Sequence, residues 1–161
     1  LCSSLGLRVV GTRANPQPTA NVDQVYGSDQ LHEALAQADY VAVATPKTPE
    51  TIGLINAAAF AAMKSGACII DVSRGGVTLA GDLMDALNSG HIAGASLDVF
   101  DPEPMPAGHP LWDMPNVMIT PHSCATFEGW EMRSLEHFAE NLKRHLAGEP
   151  LFNIVDPVRG Y

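Results

Sequence analysis

The sequence predicts an open, doubly wound α/β fold built on a parallel sheet. Short apolar runs recur at 7–12, 40–44, 67–72, 93–100 and 117–120. Between most of them lie segments with helical periodicity or helix stop signals, the alternation that defines βαβ units. Three runs end on residue types able to do carbonyl chemistry, namely Arg74, Glu103 and His122. Ligands of such sheets sit outside the carboxyl ends of the strands. One guanidinium, one carboxylate and one imidazole delivered to that edge predict a single active site.

Each element has a local reason. Residues 1–5 read as the last turn of a helix stopped by Gly6, and 7–12 as a short strand. Residues 15–21, rich in Pro, Asn and Thr, read as a loop. Ser28 is a plausible N-cap for a helix through Leu31, Leu35 and Ala38 that Asp39 closes. The run 40–44 is fully apolar and reads as a strand ended by Thr45-Pro46. A short helix over 57–63 precedes strand 67–72. Thr78 precedes a helix over 79–88 whose Leu83, Met84 and Leu87 share one face, with Ser89-Gly90 as its terminator. Strand 93–100 leads into a Pro-rich loop over 102–113 around Glu103. After strand 117–120, a long amphipathic helix over about 126–146 ends at Gly148.

Composition bounds the function. At 161 residues and 46% hydrophobic, the chain can bury one sizeable core. Nine Lys plus Arg against eighteen Asp plus Glu give a net charge of −9, which excludes a broad basic face for nucleic acid or an anionic membrane. No apolar run approaches the roughly 18 residues of a spanning helix. Cys2, Cys68 and Cys124 form no CxxC pair, so neither a disulfide framework nor a zinc site is implied, and a reducing cytoplasm is the default. The Gly-x-Gly-x-x-Gly turn that opens a dinucleotide sheet is missing. The chain therefore reads as the carboxyl-terminal part of a longer enzyme, incomplete at its amino-terminal side.

At this point the motifs identify a family. Ser73-Arg74-Gly75, the stretch from Leu97 to Pro104, and Thr120-Pro121-His122 resemble, in order, the signatures of the D-isomer-specific 2-hydroxyacid dehydrogenases. The runs Thr48 to Ile55, Leu83 to Gly90 and His109 to Trp112 support the likeness, which covers essentially the whole chain. The closing Val158 to Tyr161 is similar to the tail of some bacterial glyoxylate/hydroxypyruvate reductases. The resemblance implies a partial Rossmann-type NAD(P)-binding domain over 1–125. It further implies a crossover helix and tail over 126–161 that return toward a substrate domain.

By the same resemblance, Arg74 grips the substrate's carboxylate and 2-oxo group, through a planar fork of donors that a lysine lacks. A bland alternative is a strand-end arginine paired with Asp71. His122 is the proton donor or acceptor, a task suited to a group that titrates near neutrality. Glu103 orients that imidazole and favours its charged form. Asp98 approaches the nicotinamide carboxamide. Thr45, Pro46 and Thr51 flank ribose and phosphates, and Val72 and Ser73 line the cofactor. A metal site built from Asp98, Asp101 and Glu103 lacks any supporting ligand spacing.

Cofactor choice is legible too. NAD-selective members place an acid at the end of the second strand, where Gly11-Thr12-Arg13 stands here, with no acid before Asp23. Arg13 accommodates a 2′-phosphate, so Thr12 and Arg13 point to NADP over NAD. The implied reaction reduces a small 2-oxo acid, with glyoxylate or hydroxypyruvate preferred, in a homodimer. The alternative is a nucleotide-sensing corepressor that shares the fold and the triad. A formate dehydrogenase relative is disfavoured because that branch carries glutamine in place of Glu103. The other histidines read as surface or packing residues, and Trp112 and Trp130 as packing residues.

Overall fold

A computed structural model describes residues 1–157, so the tail resemblance at 158–161 lies outside the described residues. The chain divides into two compact units, Leu1–Pro121 and a second beginning at His122. In the first, β1 (Val10–Thr12) pairs in parallel with β2 (Gln24–Tyr26). A four-stranded parallel sheet runs β3 (Tyr40–Val43), β4 (Ala67–Asp71), β5 (Ile92–Leu97) and β6 (Val117–Ile119), in that spatial order. The predicted parallel α/β architecture is what the chain adopts.

The helices between the strands are short and locally specified. A 3-10 turn, Ser28–Gln30, leads into α1 (Leu31–Leu35), so the predicted cap shifts by one residue, with Gly27 at the N-cap. In α2 (Ala57–Ala62) the Asn56 side chain accepts from the backbone N–H of Ala58 and Ala59, satisfying two of the donors a helix start leaves orphaned. Asp82 accepts from Ala57 N at 2.7 Å and ties the start of α2 to α3 (Ala80–Asn88). Gly90, at φ 74°, lets the chain leave α3 for β5.

Phe60 of α2 and Leu83 and Leu87 of α3 pack with Val41, Val43 and Ile69 into one cluster, so these helices cover one face of the sheet. Burying each such side chain stabilises the fold by about 1.5–3 kcal/mol. The opposite face is less covered: Tyr40 and Met118 are 69% and 64% exposed. Although its run is wholly apolar, β3 alternates exposed and buried. Several strands are also shorter than expected. β1 begins at Val10 rather than 7, and β5 ends at Leu97 rather than 100, because the chain turns away at Asp98. β2 went unread, since three residues show no usable period.

The second unit consists of α4 (Trp130–Ala147) and the segment after it. α4 starts four residues later than expected and ends as expected, at Gly148 with φ 70°. Phe152 folds back onto the helix, its backbone exchanging two 3.1 Å hydrogen bonds with the Asn141 amide. Its ring lies between the Arg144 guanidinium and the His137 ring. Among the described residues, no helix is long and apolar enough to cross a membrane.

Candidate active site

Strand register builds the rim. Val43 pairs with Asp71, Asp71 with Leu97, and Leu97 with Ile119, so all four strands of the larger sheet end in one row. The next residue of each following strand extends that row. Val72 N donates to Val43 O at 3.0 Å, Asp98 N to Asp71 O at 2.9 Å, and Thr120 N to Leu97 O at 3.0 Å. Parallel strands in register therefore deliver the loops after β3, β4, β5 and β6 to one edge. No other feature of the first unit gathers so many of the predicted residues.

The loop after β4 carries Val72, Ser73 and Arg74. A Cβ added at Gly75 would lie 1.7 Å from Phe100 O, so only glycine allows the β4 loop to press against the β5 loop. Gly76, at φ 92°, adopts a left-handed conformation beside Asp101 and Lys47, which pair at 3.3 Å. Both partners are largely exposed, and such a pair contributes at most about 1 kcal/mol. Gly53 N donates to Gly76 O at 2.8 Å, joining the β3 loop to the same junction. Arg74 Nη1 donates to Ser73 O at 2.7 Å. Among the described residues it forms no ion pair with Asp71, so the strand-end pairing weighed from sequence is not made.

On the β5 side, Asp98 is 2% exposed and accepts from Thr120 Oγ1 at 2.5 Å. Glu103 Oε1 accepts from Phe100 N at 2.7 Å, closing the turn that presents this carboxylate. The Asp101–Pro102 and Glu103–Pro104 peptide bonds are cis. His122 opens the second unit, two residues beyond Thr120 in the chain. It is exposed, with φ 51°, a left-handed backbone that few non-glycine residues adopt.

The loop after β3 holds Thr45, Pro46 and Thr51. Thr51 Oγ1 donates to Pro46 O at 2.7 Å and accepts from Thr48 N at 2.8 Å, so this hydroxyl shapes its own turn. In the same turn the Thr48 hydroxyl lowers the pKa of the exposed Glu50 carboxyl. Among the described residues, Thr45 Oγ1 is a buried oxygen with no hydrogen-bond partner. An orphaned polar atom at the rim fits a site completed by a polar ligand such as a dinucleotide.

Thr12 and Arg13 stand at the end of β1, both exposed, with Arg13 N donating to Tyr26 O at 3.1 Å. Asp23 lies at the opposite end of this pair, where it accepts from Val9 N at 2.7 Å. The nearest downstream acid is therefore remote from Arg13 along the strands. A cavity of about 260 Å³ lies behind the Arg74 loop, lined in part by Asp71, Thr78, Leu83 and Leu111.

Sequence reasoning passed over several contributors. Asp71 entered only as a possible partner of Arg74, Thr78 only as a residue before a helix, and Thr120 only as a strand end and the first residue of the Thr120-Pro121-His122 signature. The available signal was an acid closing an apolar strand with hydroxyl residues two and seven positions later. His91 and His109, read as surface or packing residues, bond Phe60 O and Leu111 N. Trp112 and Trp130 are less buried than a packing role implies, at 48% and 42% exposed. Among the described residues, no group of three His, Cys, Asp or Glu is placed to hold a metal ion.

A parallel sheet whose carboxyl rim carries an arginine, buried and exposed carboxylates and an orphaned hydroxyl defines a nucleotide-binding α/β domain. The chain belongs to the D-isomer specific 2-hydroxyacid dehydrogenases, whose NAD binding domain model matches residues 1–124. Glyoxylate/hydroxypyruvate reductase A of Photorhabdus laumondii is 36% identical over 91% of this chain and 46% of its own length. A D-isomer specific 2-hydroxyacid dehydrogenase from Xanthobacter autotrophicus Py2, solved with NADPH and MES, is 43% identical. It superposes at a TM-score of 0.90 over 97% of this chain and 64% of that one. An NADPH-dependent glyoxylate/hydroxypyruvate reductase from Sinorhizobium meliloti, solved with NADP and sulfate, is 34% identical with a TM-score of 0.91, covering 99% and 51%. The chain spans about half the length of the curated relatives it matches.

Proposed function

We propose that this chain supplies the cofactor-binding half of an NADPH-dependent reductase that turns a small 2-oxo acid, glyoxylate or hydroxypyruvate, into a hydroxy acid. One observation carries the reading: Gly75 against Phe100 O seats the Arg74 and Glu103 loops side by side on the strand rim. The NADPH- and NADP-bound neighbours support the cofactor, and the reductase relatives support the substrate class.

Arg74 binds the substrate carboxylate and oxo oxygen through paired donors, which orients the carbonyl and favours negative charge building on its oxygen. His122 gives that oxygen a proton, and Glu103 is assigned by the family resemblance as the acidic residue that serves this step. When bound, the reduced nicotinamide supplies a hydride to the carbonyl carbon. Asp98, Thr45, Pro46, Val72 and Ser73 line its place, with Thr51 holding the turn. Thr12 and Arg13 receive the ribose 2′-phosphate, and no acid at that strand end repels it. A homodimer, by the family resemblance, and a cytoplasmic location, by cysteine usage, complete the proposal.

The test is reduction of glyoxylate, hydroxypyruvate, pyruvate and phenylpyruvate by the full-length protein with each nicotinamide cofactor. His122→Gln should lower kcat by roughly 10²–10⁴ while cofactor binding survives, the usual worth of a positioned proton donor. Absence of turnover on every 2-oxo acid overturns the reading, and an active His122→Gln reassigns the proton donor.

A further inference from the structure

Asp71 closes β4 and is 2% exposed, yet the reaction above gives it no task. A buried carboxylate is costly unless donors surround it. Here Oδ1 accepts from the Ser73 N–H at 2.9 Å and the Ser73 hydroxyl at 2.5 Å, while Oδ2 accepts from the Thr78 hydroxyl at 2.5 Å. Ser73 and Thr78 are the two ends of the segment that carries Arg74, Gly75 and Gly76. One rigid, planar carboxylate thus holds both ends of that loop. The Arg74 guanidinium in turn rests on Ser73 O, the carbonyl of a residue that Asp71 fixes.

We propose that Asp71 is a positioning residue: through Ser73 and Thr78 it sets the Arg74 loop, and so how tightly the site grips the carboxylate of a 2-oxo acid. The inference rests on the reductase reading and names a determinant of substrate affinity within it. Hydrogen bonds between charged and neutral groups are the stronger kind, and two short ones at opposite ends restrict the loop more than either alone. A carboxylate serving only the stability of β4 would change melting behaviour without singling out the substrate.

Thr78→Val in the full-length protein removes one donor at nearly constant shape. Thr78 is the better target because Ser73 belongs to the proposed cofactor lining. The expected result is a KM for glyoxylate raised at least about fivefold, with kcat and the Kd for NADPH within roughly twofold, the pattern of lost binding common to ground and transition states. Thr78→Ser, which keeps the hydroxyl, should restore KM. If Thr78→Val does not fold, Asp71→Asn carries the same test, because it keeps an acceptor for Ser73 and alters the partner of Thr78. A folded variant with unmoved KM, or with substrate and cofactor affinities shifted together, overturns the positioning role. A wild-type protein that reduces no 2-oxo acid overturns the reductase reading, and this role falls with it. An active wild type with a normal variant overturns the positioning role alone.

Discussion

Arg74 and Arg13 both follow a parallel strand, and the ground under them differs. Arg13 leaves a two-stranded pair of three residues each and is held by a backbone hydrogen bond to Tyr26, with its side chain exposed. Arg74 leaves the interior strand β4 on a loop fixed by Asp71 at both ends, by Gly53 along its length and by Phe100 across its face. The contrast follows from what each cation would meet. Bidentate capture of a small carboxylate beside a reacting carbonyl tolerates little error in position, since a misplacement of about 1 Å can cost two orders of magnitude in rate. A phosphate on a large, multiply held cofactor is satisfied by charge from a side chain free to adjust.

Of the changes that bear on this contrast, Arg74→Lys should have the largest effect, because it keeps the charge and removes the fork. A loss of about 3 kcal/mol, roughly a hundredfold in kcat/KM for the 2-oxo acid, is expected. Steady-state kinetics within a fewfold of wild type would mean that Arg74 acts as a point charge, and the contrast with Arg13 would collapse. Gly75→Ala should come next. Its new methyl group meets the Phe100 carbonyl, and overpacking of this kind costs about 1–3 kcal/mol. A lower Tm accompanied by weaker substrate binding is expected, and a melting curve matching wild type would show that the two loops part without cost. Arg13→Ala should be smallest, weakening NADPH by about 1–2 kcal/mol while leaving NADH nearly unchanged. Equal effects on the two cofactors, read from their Kd values, would remove the 2′-phosphate role and sharpen the question of what else selects the nucleotide.

Much of the rim was legible beforehand. Arg74 and Glu103 stand in short signatures after apolar runs, and parallel strands leave few options for where the loops that carry such residues emerge. Cap chemistry was legible in part: Gly148 and Gly90 end helices as read, whereas the Ser28 cap moved by one residue because a 3-10 turn precedes α1. Strand lengths were overestimated wherever an apolar run continued into a loop, as at Val99, buried, and Phe100, partly buried, neither of which belongs to β5. β2 lay below the resolution of any periodicity argument.

The sequence by itself determined the alternation of strand and helix, the family signatures, the acidic balance and the positions at which chemistry-bearing residues leave the strands. Local pattern suffices for these because burial period and turn chemistry act over a few neighbouring residues. Only the tertiary structure decided that Asp71 answers to Ser73 and Thr78 rather than to Arg74, that Gly75 exists for the sake of Phe100, and that Asp23 sits at the far end from Arg13. The last two depend on which strand lies beside which and in what register. Contacts between residues up to some 25 positions apart are set by that geometry, not by the residues' own preferences.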